Sequence, residues 1–169
     1  MELKGKVALV TGGGQGIGQV IGNHLAKIGA HVVFGDINLK NAEKSAEDVS
    51  ASGGKASAIL LNVTDPENVK VAFDSIKSEF KSLDILINNA GITKDGLFVR
   101  MKEDDWDRVL AVNLKGSFLC GQQAAKHMMK QRQGAIVNIA SIVGIMGNAG
   151  QANYSASKSG LIGLTKTMA

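Results

Sequence analysis

The sequence has little of what staples or stiffens a chain. Its 169 residues include one cysteine, one proline, one tryptophan and one tyrosine. A lone Cys120 excludes an internal disulfide and fits a reducing compartment. Set beside Phe118, Leu119 and Ala124, it reads as a buried thiol rather than a nucleophile. Aromatic residues make up only 4%, and the lysines are scattered although the net charge is +4. The stacking residues and dense basic block of a nucleic-acid binder are thus both missing, and no nucleic-acid partner is expected. There is no apolar run of membrane length and no signal-peptide pattern ahead of the first strand pattern, so a cytoplasmic protein with no membrane partner is expected. His24, His31 and His127 share no metal-like spacing, and no metal site is expected. With no internal repeat and no linker, residues 1–169 read as one domain.

What the chain does have is glycine, 21 of them, and five short apolar runs at even intervals. The runs are Val7–Val10, His31–Phe34, Ala58–Leu61, Ile85–Ile87 and Ala135–Ile139. Each is nearly continuous rather than alternating, the pattern of strands buried on both faces of a parallel sheet. Helix patterns lie between them, at about Ile17–Ile28, Leu39–Ala51, Thr64–Phe80 and Glu103–Gln131. A fifth starts near Gln151 and continues to Ala169. Thr64-Asp-Pro66 is a cap followed by proline in the first turn, and Asp104, Asp105 and Asp107 load the start of the fourth helix with charge that suits its dipole. The alternation predicts an α/β fold: a Rossmann-type doubly wound parallel sheet with helices on both faces. The fifth helix pattern stops without a cap, and the last strand would be left as an apolar sheet edge. The chain is therefore expected to be truncated after that helix.

Chemistry-bearing residues cluster where strand patterns end. Thr11-Gly-Gly-Gly-Gln-Gly-Ile-Gly18 follows the first strand and opens the first helix. Its Gly12, Gly14, Gln15, Gly16, Ile17 and Gly18 are candidates to cradle a dinucleotide pyrophosphate at the helix N-terminus; the alternative is a plain strand-to-helix turn. Asp36 ends the second strand, where an acidic side chain accepts both ribose hydroxyls and repels a 2′-phosphate. No arginine stands in the glycine turn, and Ile37 follows Asp36, so NAD(H) is preferred over NADP(H). Asp36 could equally be an ordinary helix cap. Asn62 and Val63 end the third strand and could hold the adenine. Asn88-Asn89-Ala90-Gly91 ends the fourth, with small residues that let a cofactor pass close to the backbone.

Ser141 follows the fifth strand, and Tyr154 and Lys158 stand four apart, on one face of a helix. A lysine ammonium beside a phenol favours the phenolate, so this pair can exchange a proton near neutral pH, with Ser141 as a hydrogen-bond donor to the same oxygen. Alone, Tyr-x-x-x-Lys is more often a surface pair. Asn113, a polar amide among apolar neighbours, needs a partner, and structural and catalytic readings are even.

Taken together, the motifs at Thr11–Gly18, Asn88–Gly91, Asn113, Ser141 and Tyr154–Lys158 resemble the short-chain dehydrogenase/reductase family, over Lys4–Ala169. The resemblance implies Tyr154 as general acid/base and Lys158 as its tuner and a ligand of the nicotinamide ribose. It implies Ser141 as the group that orients the carbonyl, and Asn113 as support for a water in the proton relay. Within the family the chain is similar to the β-ketoacyl-acyl-carrier-protein reductases, through Asn88–Leu97, Val99–Glu103, Met146–Tyr154 and Gly160–Leu164. That implies reduction of a 3-oxoacyl thioester, carried by acyl carrier protein or coenzyme A, in fatty acid synthesis. Arg132 is similar to a position that meets the acidic carrier. A homo-oligomer, dimer or tetramer, is implied through the fourth and fifth helices. Another small ketone or alcohol as substrate, or a non-catalytic nucleotide-binding subunit, are the alternatives. The chain departs from those reductases at Gln15 and Asp36, since they typically use NADPH with a basic residue in the glycine turn, and at Asn62, where they usually carry aspartate. The family also continues with two more strands and a helix.

Overall fold

The computed structural model describes residues 2–169. Five strands, β1 (Val7–Thr11), β2 (His31–Asp36), β3 (Lys55–Leu60), β4 (Ile85–Asn88) and β5 (Ala135–Asn138), form one sheet in the order β3-β2-β1-β4-β5. Every pairing is parallel. Helices α1 (Gly16–Lys27), α2 (Leu39–Ala51), α3 (Pro66–Phe80), α4 (Glu103–Leu110), α5 (Gly116–Gln131), α6 (Val143–Met146) and α7 (Ala152–Met168) complete the order. Successive strands step outward from β1 in one direction, then return to its other side at β4. The strand ends of β1 and β4 therefore diverge into opposite crossovers and open a crevice between them, the place where such sheets bind ligands.

Side-chain alternation along β1 explains the two layers. Val7 and Leu9 point to one face, where α3 and α5 supply Phe73, Ile76, Cys120 and Ala124. Ala8 and Val10 point to the other, against Ala26 of α1 and Ala42 and Val49 of α2. Strands β1, β2 and β4 are buried on both faces, as their continuous apolar runs predict. Strands β3 and β5 are not. Each is an edge of the sheet, so Leu60 stays 47% exposed and Val137 45%. The apolar run alone does not separate an edge strand from a central one. Strand β3 also begins three residues before its apolar run, because pairing with β2 draws Lys55, Ala56 and Ser57 into the ladder.

Local signals set the helix ends. The Asp65 carboxylate accepts hydrogen bonds from the Glu67 and Asn68 N–H groups, with Pro66 in the first turn of α3. Asn38, rather than Asp36, caps α2 by accepting from the Asn41 N–H at 3.3 Å. The single long helix expected over Glu103–Gln131 is interrupted by a π segment at Ala111–Lys115, and Phe98–Arg100 form a 3₁₀ turn just before it. At the amino end of the sheet, the buried Asp84 accepts from the Val7 N–H and the Lys6 ammonium, each at 3.0 Å, which pins β1 to β4. Cys120 is fully buried, and burial pushes its thiol pKa up to about 12, so it is an inert packing residue. No helix of the described residues is long and apolar enough to cross a membrane.

Two histidines pack as aromatic rings. His31 lies against Phe80 and within 3.2 Å of the Ser57 hydroxyl, and His127 stacks on Phe73. Burial is the main cause that lowers both pKa values below 6.5. The unfolded chain therefore takes up protons first as pH falls. The stability these rings contribute is present above pH 6.5 and is lost as pH falls through their folded-state values. A thermal melt series should show the midpoint dropping between about pH 7 and pH 5, with a shallower drop in the His31→Gln/His127→Gln double variant.

Candidate active site

The crevice is built by backbone approaching backbone. At Gly12, with φ +62°, a Cβ would stand 2.9 Å from the Ala90 Cα, and at Gly18 it would stand 2.3 Å from the Gly12 carbonyl oxygen. Any side chain at either position would push the turn out of place. The turn between them leaves Gln15, Gly16 and Ile17 exposed at the start of α1, with backbone N–H groups free to meet an anion. Glycines held this tightly, at a helix N-terminus beside the crevice, fit a pyrophosphate.

Thr11 ties the crevice together. Its hydroxyl accepts from the Asn89 and Ala90 N–H groups at 3.0 Å each and donates to the Ile87 carbonyl at 3.3 Å. The Asn89 amide donates to the Thr11 and Gly12 carbonyls at 3.0 and 3.1 Å. Asn89 thus holds the glycine turn in place rather than facing the open crevice. Thr11, which opens the Thr11–Gly18 motif, belongs among the site residues because its hydroxyl joins β1 to the Asn89–Ala90 backbone.

Asp36 lies at the end of β2, with one carboxylate oxygen 3.0 Å from the Gly14 N–H and the other 2.9 Å from the Asn38 N–H. It is thereby joined to the glycine turn. At the end of β3, Asn62 turns its side-chain oxygen back to the Thr64 N–H and hydroxyl at 3.1 and 2.8 Å. Only its NH₂ group is left for a ligand. The Val63 side chain is 7% exposed and packs where a Cβ on Gly116 would fall 2.7 Å from it, so Val63 is a core residue and can offer only its backbone.

On the other side of the crevice, α7 carries Tyr154 and Lys158. The Lys158 ammonium lies 5.7 Å from the centre of the Tyr154 ring. Lys158 is 4% exposed, and its ammonium donates to the Ile139 carbonyl at 2.6 Å. Desolvation lowers its pKa below the ordinary 10.5. Gly91 and Asn113 come to the same place: a Cβ on Gly91 would lie 3.4 Å from the Asn113 side-chain oxygen and 3.7 Å from the Lys158 nitrogen. The short helix α6 packs backbone to backbone on α7, since a Cβ on Gly144 would stand 2.7 Å from the Lys158 carbonyl carbon. Ser141, half-buried just ahead of α6, accepts from the Val143 N–H through its hydroxyl at 3.3 Å.

Asn113 resolves as a bracket. It is fully buried within the π segment, accepting from the Ile92 N–H at 2.8 Å and donating to the Ile92 carbonyl at 3.0 Å and the Ser157 hydroxyl at 3.1 Å. Ser157 in turn donates to the Tyr154 carbonyl at 2.8 Å. Asn153, fully buried, ties the first turn of α7 to the Lys94 and Asp105 carbonyls. Neither Ser157 nor Asn153 stands out in the sequence except as a neighbour of Tyr154. Arg132 is elsewhere. It ends α5 at the amino end of β5, the opposite end from Ser141. No group of three or more potential metal ligands converges among the described residues.

The family model for short chain dehydrogenases matches residues 6–169. The chain belongs to the short-chain dehydrogenase family. Among its relatives are the 3-oxoacyl-[acyl-carrier-protein] reductase FabG of Thermotoga maritima, 48% identical over all of this chain and 69% of its own length, and that of Staphylococcus aureus strain Mu50, 50% identical over 97% of this chain and 67% of its own. The solved structure of a protein assigned as a short-chain alcohol dehydrogenase from Sinorhizobium meliloti 1021 matches with a TM-score of 0.95 and 36% identity, covering 99% of this chain and 67% of the other. Short-chain dehydrogenases are oxidoreductases that use a nicotinamide cofactor. The cradle described above fits one.

Replacing Thr11 by valine keeps its shape and strands two N–H groups at a site that is 1% exposed. Urea unfolding should show a loss of about 1–3 kcal/mol, and titration with NADH should show weakened binding.

Proposed function

We propose that this chain reduces the ketone of a 3-oxoacyl thioester, carried on acyl carrier protein or coenzyme A, to the 3-hydroxyacyl form. The observation that carries the proposal is the buried Lys158 ammonium beside the Tyr154 ring, within reach of Gly91 and Asn113 on the crevice wall. The named relatives at 48–50% identity support the substrate class.

In this reading Gly12, Gly14, Gln15, Gly16, Ile17 and Gly18 hold the pyrophosphate, and Asp36 takes the adenosine ribose. Asn62 and the Val63 backbone border the adenine, and Ala90 and Gly91 floor the path to the nicotinamide. The bound cofactor supplies the hydride that the protein cannot. Tyr154 gives its phenolic proton to the ketone oxygen as negative charge develops there. Ser141 donates a hydrogen bond to the same oxygen and fixes its direction. Lys158 holds the nicotinamide ribose and favours the phenolate that remains. The Asn113 bracket keeps the floor at Ile92 and the helix at Ser157 at a fixed spacing, which supports a water in the proton relay.

We infer NAD(H) as the preferred cofactor. The Asp36 carboxylate, which accepts from the Gly14 N–H of the glycine turn and would repel a 2′-phosphate, supports this reading, as does the absence of lysine or arginine from residues 11–18; the first cation after Asp36 is Lys40, in α2. Reduction of a small ketone by the reduced cofactor, or the reverse oxidation of the alcohol by the oxidised cofactor, is the second reading, favoured by the close structural match to the Sinorhizobium protein.

Tyr154→Phe should lower turnover of a 3-oxoacyl thioester by at least about 10²-fold, the scale of a lost general acid, with NADH binding within about twofold of the unsubstituted protein; turnover retained in Tyr154→Phe contradicts the assignment. Fluorescence titration should give at least about tenfold tighter binding of NADH than NADPH, a difference of about 1.4 kcal/mol, and Asp36→Ala should erase that preference.

A further inference from the structure

A second side-chain tie joins the strand of Ser141 to the helix of Tyr154. Asn138, the last residue of β5, accepts from the Asn88 amide of β4 at 2.8 Å and donates to the Thr165 hydroxyl of α7 at 2.9 Å. Thr165 donates onward to the Leu161 carbonyl at 2.7 Å. Each donor meets an acceptor in one direction along the chain of bonds, which fixes the orientation of the Asn138 amide. Thr165 lies on the face of α7 that carries Tyr154, Lys158 and the fully buried Leu161, at helical spacings of four, three and four residues.

The next residue along, Ile139, accepts from the Lys158 ammonium of α7 through its carbonyl. That ammonium is the group assigned above to the cofactor ribose, so that tie is shared with a ligand. The Asn138–Thr165 tie is not. Asn153 and Ser157 hold the first turns of α7 to Lys94, Asp105 and Asn113, and the Asn138–Thr165 tie adds a point near its far end that sets its tilt against β5. Eleven residues of helix separate Thr165 from Tyr154, about 16 Å, so a tilt of about 4° carries Tyr154 through about 1 Å. Displacements of that size cost as much as about 10²-fold in rate when a proton and a bond must move together.

We propose that Asn138 and Thr165 are positioning residues that hold α7 in register with β5, so that Tyr154 and Ser141 meet one carbonyl oxygen. The proposal rests on the catalytic reading of Tyr154 and Ser141 given above. It goes further by assigning function to two residues that lie outside the crevice.

The test compares Thr165→Val, which keeps the shape and loses the hydroxyl, with Thr165→Ser, which restores it. Thr165 is exposed, so both variants should fold, and their thermal midpoints check this. Thr165→Val should lower kcat for a 3-oxoacyl thioester on the order of tenfold, with KM and NADH affinity within about twofold, and Thr165→Ser should recover it. A second readout needs no turnover. Tyr154 is the single tyrosine, so ¹³C-tyrosine labelling gives one set of ring signals. They should move in Thr165→Val and return in Thr165→Ser. A merely structural role would lower the melting midpoint and leave them in place. Unchanged kcat with unmoved ring signals overturns the proposal. If the unsubstituted protein turns over no 3-oxoacyl thioester, the functional reading falls, and the ring signals decide the tie alone: moved signals uphold it and unmoved signals overturn it.

Discussion

A single buried ammonium sets the terms for the site. Lys158 is 4% exposed and rests on one carbonyl oxygen, that of Ile139. Burying a charge is costly unless it is well partnered, and burial here lowers its pKa. The surrounding polar groups do not compete for it, because each is committed elsewhere. Asn113 brackets Ile92, Asn153 holds Lys94 and Asp105, and Ser157 caps the Tyr154 carbonyl. A cation with one fixed contact and unfilled donor capacity sits beside a phenol at the mouth of a crevice. That arrangement suits a proton donor that must be returned to its starting form after each turnover.

The sheet delivers this arrangement through close backbone packing. The reversal of strand order at β1 and β4 opens the crevice, and the Thr11 hydroxyl closes its base by gathering the Asn89 and Ala90 N–H groups. Gly12 then fits against Ala90 and Gly18 against Gly12. On the far wall Gly144 lets α6 lie on α7. The abundance of glycine and scarcity of proline are the chemical means by which three layers of backbone come within van der Waals contact.

Much of this was legible in the sequence because strand ends carry the chemistry and apolar runs locate the strands. The Asp65-Pro66 cap, the glycine turn and the Tyr154–Lys158 spacing are local patterns, and they fold locally. What was missed depends on distant partners. The run Ala111-Val-Asn-Leu-Lys115 has no glycine or proline to mark a π segment, whose central Asn113 is instead bound to Ile92, 21 residues away. Thr11 opens the glycine motif in the sequence, but the bonds its hydroxyl makes exist only once β4 lies beside β1. The sequence places Asn89 and Val63 beside a cofactor, and the structure adds what their side chains do: the first bonds the glycine turn and the second packs on Gly116. For Asp36 the structure shows that Asn38 caps α2, while the Asp36 carboxylate accepts from the Gly14 and Asn38 N–H groups. Burial of β3 and β5 was overestimated because edge position is a property of the sheet and not of the strand.

The most direct test of the account is chemical. The purified protein is mixed with NADH and acetoacetyl thioester, and NADH absorbance is followed while the product is identified by mass spectrometry. The account predicts one 3-hydroxybutyryl thioester formed for each NADH consumed. Tight NADH binding with no 3-hydroxyacyl product, from either the acyl-carrier-protein or the coenzyme A thioester, would contradict it.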